Sequence, residues 1–362
     1  MTSFHKVDAW CPMLSNGVRL STQQNQLWYS PCCYVTSVPV ENSTDIYQRR
    51  RQLIFQAKKD ANAVCGECIR KEKAQKTSLR QFTQLRMAQV PASALILEIG
   101  SDIRCNAACI MCGPHLSTLW QKQHHMPVTF NQATAAEHLS QVSQLVDLAR
   151  VQYITFVGGE PLLTSTHVEL LNQIPDLSKV HVNYNTNGSI LPSDEVLDLW
   201  NQCKRVSIMF SIDSIDKQFE FIRYPLSWKE VNATIIQTVE YLLQKRFLGI
   251  VGVHVTANAL SAFYVDTIEQ HFRMLSLKNA YPLQINYDLA IDKFDLKATP
   301  PAVRKKIVAK HTVQHQISRF LDQSEFDHAL YGQMIHDLNW IHTHRNLDWR
   351  EFFPDIAEDL VI

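Results

Sequence analysis

Six short runs rich in β-branched and aromatic residues, 94–100, 153–157, 180–185, 206–212, 249–257 and 283–288, punctuate the middle of this chain. Between them, segments 135–148, 167–173, 193–202, 228–244 and 262–275 repeat apolar residues every three to four positions and read as helices. A strand parallel to its predecessor needs a crossover of a dozen or more residues, so repeated strand–helix units predict a parallel sheet covered by helices. Ile154-Thr-Phe-Val157 is apolar on both faces, as a strand between helix layers requires. The expected fold class is α/β, a partial (β/α)6 TIM-like barrel over residues 91–298.

The flanks differ. Residues 1–90 carry two cysteine-bearing loops, a polar stretch at 48–60 and a charged one at 70–80, and read as a small cysteine-rich module stapled by metal. Residues 299–362 read as a helical C-terminal extension whose Trp340, Trp349, Phe352 and Phe353 pack on the barrel. Lys plus Arg equals Asp plus Glu at 35 each, which disfavours nucleic acid as a partner. Residues 1–10 show no basic region leading into an apolar one, and no apolar run has membrane-spanning length, so the expected location is cytoplasmic. Nine cysteines in a long chain without such a signal point to metal or redox use rather than disulfides.

Ligands of parallel α/β folds gather at the carboxyl ends of the strands. The first expected strand is followed by Cys105-Asn-Ala-Ala-Cys109-Ile-Met-Cys112 and the second by Gly158-Gly159-Glu160-Pro161. The third ends in Asn185-Thr-Asn187-Gly188 and the fourth in Ser211-Ile-Asp213-Ser214. Three thiolates on one loop can hold three irons of a 4Fe-4S cubane and leave the fourth open, whereas a structural zinc takes four protein ligands. Plainer roles exist for each group: a zinc loop completed by His115, a turn carboxylate at Glu160, turn residues at Asn185 and Asn187, and a helix cap at Asp213.

In the order and type of these strand ends, residues 94–290 resemble the radical S-adenosylmethionine (SAM) enzymes. The resemblance implies that Cys105, Cys109 and Cys112 hold the cluster while its open iron is chelated by SAM. It implies that Gly158, Gly159 and Glu160 receive the SAM amino group, and that Asn185, Asn187, Ser211 and Asp213 belong to the cofactor-binding strand ends. Ser211 matches the contact to ribose or carboxylate, and Arg223 is either a partner of that carboxylate or an exposed helix arginine. Met111 stands where the family commonly places an aromatic residue near adenine; its polarizable thioether can pack on a purine. The implied reaction is reductive cleavage of SAM to a 5'-deoxyadenosyl radical, which takes a hydrogen atom from a peptide or small molecule, for oxidative modification. A flavodoxin- or ferredoxin-type donor would supply the electron. An epimerase and a non-catalytic iron–sulfur carrier or scaffold are the alternatives.

Cys11, the adjacent Cys32 and Cys33, and Cys65-Gly-Glu-Cys68 supply five further thiols. They resemble the auxiliary-cluster modules called SPASM and twitch, although those usually follow the barrel and these precede it. The resemblance implies a second 4Fe-4S cluster on Cys11, Cys32, Cys65 and Cys68, with Cys33 as an alternative ligand; the same four thiolates also suit zinc. Cys203, just before a strand, reads as a packing residue.

Overall fold

The computed structural model describes residues 11–23, 25–73, 77–88, 91–128, 130–245, 248–311 and 315–360. The first ten residues, on which part of the expectation about a signal rests, lie outside them. The chain forms two compact units, one of Met1–Arg104, Val128–Tyr184 and Asp194–Val206, the other of Cys105–Pro127, Asn185–Ser193 and Ser207–Ile362.

The first unit is built on strands β1 (Gly17–Gln23), β2 (Gln26–Ser30), β3 (Val38–Pro39), β4 (Leu95–Gly100), β5 (Val151–Phe156) and β6 (His181–Thr186). β1 to β3 form antiparallel pairs, whereas β1–β4, β4–β5 and β5–β6 are parallel. β1 pairs from Gly17 opposite Ile96 to Ser21 opposite Gly100, so the N-terminal segment and the first barrel strand share one sheet. Alternation explains the face each strand buries: Val18 and Leu20 on β1, and Leu95, Leu97 and Ile99 on β4, are buried. The helix Ser43–Lys59 starts in a capping box, where Asn42 accepts from the Thr44 and Asp45 amides and Asp45 accepts from the Asn42 amide. In Gln132–Leu145, Ala135, Leu139, Val142 and Leu145 are buried, the three-to-four spacing of one helical face.

The second unit contains β7 (Arg205–Ser211), β8 (Leu248–Ala257) and β9 (Gln284–Leu289). β8 and β9 run parallel from Gly252 opposite Gln284 to Ala257 opposite Leu289. Its core takes in Phe221, Leu260, Phe294, Leu338, Trp349 and Phe353, with Trp340 and Phe352 packed partly buried against it. Each fully buried large apolar side chain of this kind contributes about 1.5–3 kcal/mol, so of the expected tail aromatics Trp349 and Phe353 contribute most to holding the helices between Pro301 and Leu360.

All six expected strands form, with ends moved by no more than two residues. The expected helix at 262–275 is a 3-10 turn, Ala262–Tyr264, running into a helix at Val265–Lys278. The β1–β2 hairpin, strongly polar along one face, was not among the expected strands. Among the described residues, no helix is long and apolar enough to cross a membrane.

Candidate functional site

The three-cysteine loop is pinned by its backbone. The Ala108 amide donates to Tyr224 O at 2.7 Å, the Ile110 amide to Ile222 O at 2.9 Å and the Cys112 amide to Cys109 O at 2.9 Å. The indole N–H of Trp120 donates to Cys109 O at 2.9 Å, and Ser117 Oγ donates to Ala107 O at 2.7 Å. Cys109 is buried, and Cys105 and Cys112 are half-buried.

Two expected strand ends meet this loop. Asn187 Nδ2 donates to Asn106 Oδ1 at 2.9 Å, while Asn106 Nδ2 donates to Ser189 Oγ at 2.9 Å. Gly188 makes the turn possible with φ 74°, a left-handed conformation that a side chain would strain. Asn187 is buried, whereas Asn185 is exposed. At the other strand end, Asp213 Oδ1 accepts from the Thr256 amide at 2.7 Å and Oδ2 lies 2.6 Å from Arg223 Nη2. Arg223 Nη1 in turn lies 3.8 Å from Cys109 Sγ.

Asp213 is therefore no helix cap; the helix Asp216–Ile222 begins after Ile215, which makes no side-chain cap. Arg223 is buried rather than exposed. Ser211 is half-buried at the end of β7. Met111 Sδ, half-buried, accepts from Asn258 Nδ2 at 3.3 Å. A hydrogen bond with Cys112, opposed by burial and reinforced by the Arg223 charge, brings the Cys109 thiol down to about 7. The same bond, with burial, raises Cys112.

In the first unit, the Gly158-Gly159-Glu160 turn lies against residues 102–104. The Gly159 amide donates to Asp102 O at 2.9 Å and the Glu160 amide to Arg104 O at 2.8 Å. A Cβ on Gly159 would overlap the Arg104 carbonyl, and Gly158 has φ 115°, so this close approach demands both glycines. Glu160 is buried at 2% exposure, and Oε1 accepts from the Leu162 amide at 3.0 Å. The Asp102 carboxylate braces the segment by accepting from the Arg104 amide, Thr164 and Thr166 at 2.9–3.0 Å. Burial opposes its ionisation, but the bonds from Arg104 outweigh burial and hold Asp102 below the ordinary carboxylate range.

Cys11, Cys32, Cys65 and Cys68 line one small cavity with Arg80, Leu79 and Val64. The helix Ala61–Lys73 breaks its regular geometry at Cys65, with φ −115° and ψ 21°. Burial pushes the Cys32 thiol up to about 12 and the Cys65 thiol up to about 11. Arg80, itself buried, donates from Nε to Glu72 Oε1 at 3.1 Å. Cys33 is exposed and does not line the cavity; Cys203 is buried and donates to Leu199 O at 3.2 Å. Among the described residues, no three His, Cys, Asp or Glu side chains converge to hold a single metal ion. The donor sets suit iron–sulfur chemistry: three thiols on one loop beside buried guanidinium groups, and four thiols around one cavity.

The loop of three thiols thus follows a strand of an α/β fold whose strands are largely parallel. Residues 103–266 match the model of the Radical SAM superfamily, and the fold class is the expected α/β. No curated protein matches this chain. Among solved structures, anSMEcpe with bound AdoMet is similar at 14% identity over 59% of this chain, with a TM-score of 0.40; the match spans 57% of that chain's length. Streptococcus suis SuiB bound to S-adenosylmethionine is similar at 13% identity over 72% of this chain and 56% of its own, with a TM-score of 0.30. TYW1 with a lysine-pyruvate adduct bound matches at 13% identity over 63% of this chain and 73% of its own, with a TM-score of 0.36.

Sequence reasoning passed over Asn106, Asp102, Arg80 and Arg345. Asn106 lies inside the cysteine motif and Asp102 three residues before it, so both were legible as polar residues at a strand end. Arg345 Nη2 donates to Ala108 O at 2.9 Å from 237 residues away, a separation that no local pattern signals.

Proposed function

We propose that this chain is a radical SAM enzyme that takes a hydrogen atom from a peptide or small-molecule substrate for oxidative modification. Cys105, Cys109 and Cys112 would hold a 4Fe-4S cluster, which when bound supplies the electron that cleaves SAM. The observation that carries this reading is the pinned three-thiol loop inside a segment matching the Radical SAM superfamily. Arg223 contributes a buried cation beside Cys109, held in place by Asp213, that favours the thiolate. Asn187 braces the loop through Asn106. Gly158, Gly159 and Glu160 would receive the SAM amino group, with Glu160 oriented by the Leu162 amide. Asn185, Ser211 and Met111 are the remaining proposed cofactor contacts, and a flavodoxin- or ferredoxin-type protein is the proposed reductant.

The cavity shared by Cys11, Cys32, Cys65 and Cys68 supports a second 4Fe-4S cluster in a twitch-like module of residues 1–90. A cluster with four protein thiolates has no open iron, which suits it to accept an electron and favours oxidation over epimerisation.

Anaerobic reconstitution with iron, sulfide, dithionite and SAM tests the proposal. Wild-type protein is expected to release 5'-deoxyadenosine. Release no greater than that of Cys105→Ala refutes the enzyme and leaves the carrier or scaffold.

A further inference from the structure

The helix His328–Arg345 ends with Asn346 in the left-handed conformation, φ 53° and ψ 43°, directly after Arg345. The Arg345 guanidinium lies 4.5 Å from the Trp120 ring centre and 4.7 Å from that of Tyr224. Nη2 donates to Ala108 O and to Gln123 Oε1, both at 2.9 Å, and Nε donates to Gln123 Oε1 at 3.2 Å. Trp120 and Tyr224 also grip the loop directly, through Cys109 O and the Ala108 amide. Three separate segments therefore meet the loop at one guanidinium.

Its charge is not balanced. Arg223 has Asp213, but among the described residues no carboxylate pairs with Arg345, and its Nη1 is buried without a hydrogen-bond partner. A buried charge is ordinarily paired, because leaving water costs several kcal/mol. An uncompensated cation bonded to the Ala108 carbonyl, next in the chain to Cys109, is complementary to an anionic group on that loop. Arginine rather than lysine suits the place, since a planar fork can stack on rings while donating to two acceptors, and an ammonium cannot.

We propose that Arg345 is the positioning residue of the three-cysteine loop and supplies the cation that raises the reduction potential of the cluster there; the second half rests on the function proposed above. The helical extension is on this account part of the cofactor site rather than a cover for the barrel. Arg345 touches no reacting atom and acts through the loop.

The test compares wild-type protein with Arg345→Met, Arg345→Lys and, as a control on the same helix, the exposed His342→Ala. In the apoprotein, hydrogen exchange at the Ala108 and Ile110 amides is expected to rise about tenfold in Arg345→Met, the scale of one lost hydrogen bond to a charged group. The amides of β8 and β9 report whether the fold is intact and are expected to keep their protection. Lysine is expected to leave the loop amides as unprotected as methionine does. In reconstituted protein, the midpoint potential of the SAM cluster, followed by its EPR signal, is expected to move negative in Arg345→Met and to return toward the wild-type value in Arg345→Lys. Wild-type exchange at Ala108 and Ile110 in Arg345→Met overturns the proposal, as does an unshifted potential in that variant. If wild-type protein takes up no iron on this loop, the proposed function falls, and the exchange arm still decides the positioning.

Discussion

Arg223 and Asp213 form an ion pair of 2.6 Å in which the aspartate side chain is wholly buried. Removing one partner of such a pair strands a charge, at a cost of about 3–5 kcal/mol, whereas replacing both with apolar residues is often close to neutral. Arg223→Met is expected to lose that much in urea unfolding. The double variant Arg223→Met, Asp213→Leu is expected to recover part of it. A single variant within 1 kcal/mol of wild type would show that the pair carries no structural weight.

His167 gives the pH dependence. It is buried with Nδ1 2.9 Å from Tyr184 Oη, and burial lowers it from 6.5 to about 4. Below pH 6.5 the unfolded chain takes up a proton that the folded chain refuses, so stability is lost as pH falls from 6.5 toward 4. The loss from this group is about 3 kcal/mol, at 1.36 kcal/mol per pKa unit. Urea midpoints measured between pH 4 and 7 should show a steep slope in wild type and a shallower one in His167→Gln. Equal slopes would remove His167 as the cause.

Gly159→Ala places a methyl group on the Arg104 carbonyl. The turn must then pull away from residues 102–104, breaking the bonds of the Gly159 and Glu160 amides. Overpacking of this kind costs about 1–3 kcal/mol. If the turn also receives SAM, equilibrium dialysis of the reconstituted protein should show at least tenfold weaker SAM binding. Unaltered stability and binding would mean the close approach is dispensable.

The N-terminal thiols divide four to one in the structure, since Cys33 is exposed and outside the cavity. Metal analysis of Cys65→Ala, Cys68→Ala is expected to show about four fewer irons per chain, and Cys33→Ala is expected to match wild type. Zinc lost in place of iron would replace the auxiliary cluster with a structural site.

The sequence disclosed the strands because β-branched runs between amphipathic helices leave few alternatives, and it disclosed the cysteine loop because ligand spacing is local. Partners set by tertiary contact were hidden. Arg223 read as a cofactor contact or a surface residue, and its burial depends on Asp213 ten positions earlier and on Cys109 far upstream. Asp213 fitted a cap until the backbone gave that turn to Ile215. β1 escaped because Arg19, Ser21, Thr22 and Gln23 mask a strand whose buried face carries only Val18 and Leu20, and its parallel pairing with β4 spans some eighty residues of unrelated sequence.

The bond between Arg345 and the Ala108 carbonyl joins residues 237 positions apart. A chain emerging from the ribosome cannot close it until all 237 have been made. Throughout that synthesis the cysteine loop lacks this clamp. Completion of the helix His328–Arg345 then acts as the latch on a loop made more than two hundred residues before it.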